Sequence, residues 1–107
     1  MPQPDIGELT TVYLVFLRKR PRWTAESTPE IERLHREHLA YLRSLKASGA
    51  LATVGPVQDE SDLRGVGVYR VATLEEARAL AEADPAVKAD RFVVEVHPWL
   101  VDRRNTL

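Results

Sequence analysis

The chain has 107 residues, a formal net charge of −1 at pH 7 and no cysteine. This length fits one domain with a modest core, and the balanced charge argues against a general electrostatic affinity for nucleic acid or an anionic membrane. Without cysteine, disulfides, thiolate nucleophiles and cysteine zinc sites are excluded. Residues 1–5 do not resemble a signal peptide, and no apolar run is long enough to span a membrane. We therefore expect a single cytoplasmic domain over residues 1–107.

The first predicted strand covers residues 11–17, which are rich in β-branched and aromatic side chains. Both of its faces are apolar, which is typical of a strand that is covered on both sides. A charged loop over residues 18–25 follows. The Ser-Thr-Pro-Glu sequence at residues 27–30 then combines a hydroxyl cap with an early proline and an acid. It predicts a helix that runs to Ser48, after which Gly49 suits a left-handed C-terminal position.

The second half of the chain predicts two strands, a helix and a final strand. Thr73 and Glu76 form a capping box that begins the helix, and Asp84-Pro85 ends it and can begin a short turn. The expected ranges are 50–57 and 64–71 for the strands, 74–83 for the helix, 85–89 for the turn and 91–101 for the last strand. The domain core is expected over about 11–101 and the tails, 1–9 and 103–107, to be mobile or used for pairing.

The element order β-α-β-β-α-β predicts a four-stranded sheet with two helices. Two helices of this size cover one face of such a sheet and leave the other open. Because the first strand is apolar on both faces, the open face needs a second cover. A partner copy of the chain is the economical cover, so we expect a homodimer related by twofold symmetry.

His38 is the leading candidate for a catalytic residue. On the predicted first helix it falls inside an apolar stripe, between Leu34 and Leu42, and therefore faces the interior. A buried imidazole needs a hydrogen-bond partner, and its unperturbed proton affinity lies nearest to neutral pH. A satisfied core histidine and a catalytic base are both open readings. His35 lies at the flank of the stripe and is expected to be solvated.

Four further residues are candidates for contact with a substrate, each with a structural alternative. Arg18, at the end of the first strand, can meet an acidic substrate or form a surface salt bridge. Trp23 can close a pocket as part of a loop or shield one end of the sheet. Gly55 and Pro56 can form a pocket wall where the backbone approaches a ligand, or a turn at the end of a strand.

The chain also resembles the YCII-related (YciI-like) family from about residue 11 to residue 101. The resemblance rests on the order and spacing of eight short sequence pieces. These are YLVFLR at 13–18, HL at 38–39, GAL at 49–51, GP at 55–56, LRG at 63–65, EEA at 75–77, DP at 84–85 and HPW at 97–99. The resemblance implies a ferredoxin-like α+β fold, specifically a dimeric α+β barrel. It also implies a histidine–aspartate pair at a pocket, for which the matching positions are His38 and Asp84.

Two of these pieces have purely structural alternatives. Asp84 before Pro85 is a common pairing of a helix N-cap with proline at the first helical position. The run His97-Pro98-Trp99 can be a structural edge, since proline suits edge strands and bulges, and Trp99 can fill a dimer seam.

Three functions remain open from the sequence. The resemblance implies a small cofactor-independent enzyme of lyase or isomerase type, since some relatives carry out proton transfer and elimination on hydroxylated or chlorinated aromatic rings and muconolactone isomerase is a structural cousin. His38 would be the base, and Asp84 would orient it. The alternatives are a module that binds a small ligand without turnover and a purely structural dimer domain. No metal is expected, because His38 and Asp84 are too few ligands and His97 lies on a distant strand.

Overall fold

The sheet and helices follow the predicted order. A computed structural model describes residues 8–21 and 23–104, and its elements are β1 Leu9–Lys19, α1 Pro29–Ser48, β2 Leu51–Pro56, β3 Leu63–Tyr69, α2 Leu74–Glu82, α3 Pro85–Lys88 and β4 Phe92–Asp102. The strands form one antiparallel sheet in the order β2-β3-β1-β4, with the helices on one face. This arrangement is the predicted ferredoxin-like α+β fold.

Local capping signals set the helix boundaries. The Thr28 hydroxyl accepts a hydrogen bond from the Ile31 N–H at 3.1 Å, and α1 ends at Gly49, whose φ of 87° lies in the left-handed region. The Thr73 hydroxyl caps α2 in the same way, accepting from the Glu76 N–H at 3.1 Å. These short-range contacts explain why both helix starts could be predicted from the sequence.

The strands differ from the prediction mainly at their ends. β1 extends two residues further in each direction than expected, because it pairs with β4 over its whole length, from Leu9 opposite Asp102 to Lys19 opposite Phe92. Leu9, expected in the N-terminal tail, is therefore part of the sheet. β3 ends at Tyr69, two residues earlier than expected. Two other residues expected in the tails, Glu8 and Arg103, are joined by a backbone hydrogen bond of 3.0 Å and a salt bridge of 2.9 Å. Residues 1–7 and 105–107 lie outside the described part of the chain.

The core lies between the sheet and the helices. Val15 at the centre of β1 packs in a buried cluster with side chains from both longer helices and from the other three strands, and its other members are Leu45, Leu51, Tyr69, Ala77, Ala81 and Val96. The odd-numbered residues of β1 thus face the helices. The even-numbered residues, Val12, Leu14, Phe16 and Arg18, lie on the opposite face, which none of the described helices covers.

No helix in the described part of the chain is long and apolar enough to cross a membrane.

Candidate functional site

A cavity of about 940 Å³ lies between α1 and the helix-facing side of the sheet. Its apolar wall includes Val15 and Leu17 of β1, Leu42 of α1 and Val54 of β2. His38, Asp84 and Phe92 also line it. The cavity therefore combines an apolar wall with a few polar groups, which is the usual composition of a site for a small molecule.

His38 and Asp84 are in direct contact in this cavity. The His38 Nδ1 lies 2.5 Å from the Asp84 Oδ2, and the exposed fractions of the two side chains are 15% and 3%. The residues are 46 positions apart in the chain, and α1 and the start of α3 bring them together. The His38 ring also lies near the ring of Phe92, with 6.5 Å between centroids.

Asp84 serves two structural purposes at once. Its Oδ1 accepts a hydrogen bond from the Ala86 N–H at 2.8 Å and so caps α3, while its Oδ2 bonds to His38. The sequence left the cap and the His38 partner as alternative roles for Asp84. A carboxylate has two oxygens, and here each oxygen has one of those roles.

This arrangement determines which nitrogen of His38 is free. An ionised carboxylate only accepts hydrogen bonds, so the His38 Nδ1 must carry the proton. In the neutral ring the Nε2 then holds a lone pair. Among the described residues no group forms a hydrogen bond with Nε2, so this nitrogen is available to a molecule in the cavity.

Two tyrosines lie close to the pair. The Tyr41 hydroxyl donates to the Leu80 carbonyl at 2.6 Å. Tyr69 is buried and lines the cavity. Burial raises the pKa of both phenols, and the negative charge of Asp84 raises them further. Both hydroxyls therefore stay protonated at neutral pH, and Tyr69 is a neutral hydrogen-bond donor at the wall of the cavity.

The structure brings three of the four predicted substrate-contact residues to the cavity. Trp23, Gly55 and Pro56 line it together with His38 and Asp84. Arg18 does not, because it lies on the opposite face of the sheet. There its guanidinium bonds to Glu95 at 2.9 Å and to Asp62 at 3.0 Å, which is the surface salt bridge considered as the alternative. We therefore no longer assign Arg18 to the substrate site.

The remaining histidines do not extend the pair. His35 is exposed at the flank of α1, with its ring centroid 6.2 Å from that of His38. His97 lies on the open face of the sheet, where its Nε2 bonds to the Glu95 carboxylate at 2.7 Å. In the part of the chain that the structure describes, no three histidine or carboxylate side chains are grouped to hold a metal ion.

Comparison with known families places this geometry in context. The sequence profile of the YCII-related domain matches residues 11–100. The chain belongs to the YCII-related domain family. A search of curated proteins finds no match.

A solved structure related to this YCII-related domain holds a small molecule. The chain is similar to the 5-chloro-2-hydroxyhydroquinone dehydrochlorinase TftG from Burkholderia phenoliruptrix AC1100, in complex with 2,5-dihydroxybenzoquinone. The two chains are 25% identical with a TM-score of 0.61, and the match covers 82% of this chain and 92% of that one.

Tyr69 and Arg64 are among the polar residues of the cavity that the sequence analysis did not assign to a site. Tyr69 follows Val68 in β3, and the alternation of that strand places its side chain on the helix face. That signal was present in the sequence, whereas no local pattern indicated Arg64.

Proposed function

We propose that this protein is a small-molecule enzyme in which His38 transfers a proton to or from a hydroxylated aromatic or lactone substrate. The observation that carries the proposal is the 2.5 Å contact between His38 Nδ1 and Asp84 beside a cavity of about 940 Å³. A base held by a buried carboxylate, with its second nitrogen free, is the arrangement that general base catalysis requires.

Three polar groups of the cavity have a role in this proposal. The His38 Nε2 takes a proton from a hydroxyl or a ring carbon of the substrate, and Asp84 holds the ring and stabilises the imidazolium. The Tyr69 hydroxyl donates a hydrogen bond to a substrate oxygen on which negative charge develops. The apolar wall excludes water and holds the ring of the substrate.

The similarity to TftG supports a proton-coupled elimination as one such reaction. Net loss of HCl from a chlorinated hydroxyhydroquinone removes one proton and one chloride ion and leaves a hydroxyquinone. Such a reaction balances without an added oxidant or reductant, so we propose that the enzyme needs no cofactor. Substrates without chlorine would undergo proton transfer alone, as in an isomerisation.

The first prediction is that small cyclic acids bind to the cavity and that some are turned over. Hydroxyquinones, chlorinated hydroxyhydroquinones and lactones are the compounds to screen by melting temperature. A ligand at 100 times its Kd stabilises the folded state by about 2.7 kcal/mol, which shifts the melting temperature by about 10 °C in a domain of this size. Compounds that raise it are then assayed for turnover by quinone absorbance and chloride release.

The outcomes of this screen separate the possible functions. Turnover of at least one compound supports the proposed enzyme. Binding without turnover of any chlorinated hydroxyhydroquinone, hydroxyquinone or lactone would instead favour a ligand-binding module. If no compound shifts the melting temperature, the proposal that the cavity accepts this class of molecule is wrong.

We further propose that the protein is a homodimer through the open face of the sheet. That face carries apolar side chains from three strands, namely Val12, Leu14, Phe16, Val66, Val68, Val93 and Trp99, beside the charged residues Arg18, Glu95 and His97. Val12 and Val68 are already buried, each 5% exposed. Val93 and Trp99 are 38% and 42% exposed. A broad apolar sheet surface of this kind is typical of a protein interface, and a second copy of the same face is the proposed cover.

The second prediction concerns this assembly. Light scattering at micromolar concentration is expected to give twice the 12.1 kDa mass of the chain. Trp99→Glu is expected to give the monomer mass, because a twofold interface would bury two carboxylates against apolar side chains. Arg43→Gln, on the exposed side of α1, is the control and should remain dimeric. A monomeric parent protein would contradict the proposal.

A further inference from the structure

Two cations share the indole ring of Trp23 at the cavity. The Lys19 Nζ lies 4.2 Å from the ring centroid, and the Arg64 Cζ lies 5.4 Å from it. Both distances are within the range of cation–π attraction. Trp23 and Arg64 line the cavity, so the cavity wall here consists of an aromatic surface with positive charge beside it.

A β-bulge places Arg64 at this position. In the pairing of β1 with β3, Leu17 lies opposite Gly65 and Arg18 lies opposite Leu63, so Arg64 has no partner residue on β1. The Arg64 carbonyl accepts a hydrogen bond from the Val57 N–H at 2.9 Å, which fixes its backbone. Bulges of this kind redirect a side chain and are common beside functional sites.

Neither cation has a salt-bridge partner among the described residues. The acid that both influence is Asp59, whose Oδ1 accepts hydrogen bonds from the Ser61 N–H at 2.9 Å and the Ser61 hydroxyl at 2.6 Å. These bonds lower the pKa of Asp59, with smaller contributions from the charges of Arg64 and Lys19. Asp59 therefore has its own partners and does not neutralise the two cations by direct contact.

The carboxylates of the cavity wall either accept hydrogen bonds from other groups or are exposed to solvent. Asp84 is bonded at both oxygens. Glu32 accepts a hydrogen bond from the Ser27 hydroxyl at 2.7 Å, and Glu26 is exposed. Bringing two like charges to one ring with no salt-bridge partner has an electrostatic cost, and an anion bound beside them would remove that cost.

We propose that Arg64 is the anion-binding residue of this cavity and that the ligand is a planar oxyanion whose ring packs against Trp23. The guanidinium forms two parallel hydrogen bonds to such an anion, which gives both affinity and orientation. Lys19 adds positive potential and holds the Trp23 ring. Hydroxyquinones and aromatic carboxylates have this chemistry, since both are resonance-stabilised anions at neutral pH. This inference rests on the proposed function, since it takes the other end of the ligand to be the part that reacts at His38.

Calorimetric titration with a matched pair of probes tests this inference. The probes are 2,5-dihydroxybenzoquinone, which is anionic at neutral pH, and its neutral dimethyl ether. The parent protein is expected to bind the anion more tightly than the ether. Arg64→Gln is expected to weaken binding of the anion by about 10- to 100-fold, the value of one charge-assisted contact, with little change for the ether.

Two further variants sharpen the test. Arg43→Gln removes the same charge from the exposed side of α1, outside the cavity, and should leave both affinities unchanged. Arg64→Lys keeps the positive charge but lacks the two parallel N–H donors of a guanidinium, so it should retain part of the preference for the anion. Melting temperatures of all variants establish that they are folded.

The possible results separate this inference from the proposed function. It is overturned if the parent binds neither probe, if it binds both equally, or if Arg64→Gln binds the anion as the parent does. If Arg64→Gln loses the anion while no substrate is turned over by the parent, the anion site stands and the enzyme proposal fails. If Arg64→Gln turns over substrate as fast as the parent does, the enzyme proposal stands and Arg64 is not part of the substrate site.

Discussion

Asp84→Asn is expected to lower turnover by about 10²–10⁴-fold, the usual value of a positioned base. The asparagine carbonyl can still accept from the Ala86 N–H and cap α3. Its amide group then faces His38 and donates to Nδ1, where the carboxylate accepted. The proton of the ring consequently moves to Nε2, which becomes a donor and no longer takes a proton from the substrate.

A second variant tests the same mechanism from the other side of the contact. His38→Asn keeps an amide N–H that can reach Asp84 but has no group at the position of Nε2, so a similar loss of turnover is expected. The measurement is initial rate against the best substrate of the screen, with binding determined separately. For both variants, loss of turnover with retained ligand binding supports the base role.

Asp102→Asn is a suitable control for these measurements. Asp102 is also a buried carboxylate, 7% exposed, but it lies at the end of β4 and bonds to Arg104 instead of lining the cavity. Its replacement should leave turnover close to that of the parent. If Asp84→Asn had no larger effect than Asp102→Asn, the His38–Asp84 contact would be structural only.

Much of the fold could be predicted because its signals are local. The Thr28 and Thr73 caps and the Gly49 C-terminus depend on residues within four positions of each other. The apolar stripe that contains His38 also follows from the helical period alone. The strand ends could not be predicted as well, because long-range pairing decides them: Leu9 and Lys19 are in β1 because β4 lies opposite.

The site was predictable only in part, for the same reason. Nothing near Asp84 in the sequence indicates His38, and only the family resemblance joined the two residues. Arg18 could have been placed correctly, since the alternation that puts Val12 and Phe16 on one face puts Arg18 with them. Arg64 could not, because a β-bulge breaks the alternation on which such an argument depends.

The contact between His38 and Asp84 also changes the expected stability of His38 variants. A catalytic histidine with no buried partner could be replaced by leucine at little cost in stability, whereas a histidine that satisfies a buried polar group could not. The structure shows that the histidine proposed as the base is also the hydrogen-bond partner of Asp84, whose side chain is 3% exposed. Leucine would leave the Oδ2 of Asp84 buried without a hydrogen bond, so a loss of stability does not by itself separate a structural role of His38 from a catalytic one.

His38→Leu is therefore expected to lower the free energy of unfolding by about 1–3 kcal/mol, the cost of leaving a buried carboxylate oxygen without its hydrogen bond. Combining it with Asp84→Ser should recover much of this loss, because the serine hydroxyl can still cap α3 while the buried charge is gone.

Urea unfolding of the parent, both single variants and the double variant gives the coupling between the two positions. All four are compared at one protein concentration, since stability of a dimer depends on it. If His38→Leu is as stable as the parent, or if the effects simply add, Asp84 does not depend on His38 for its place in the interior.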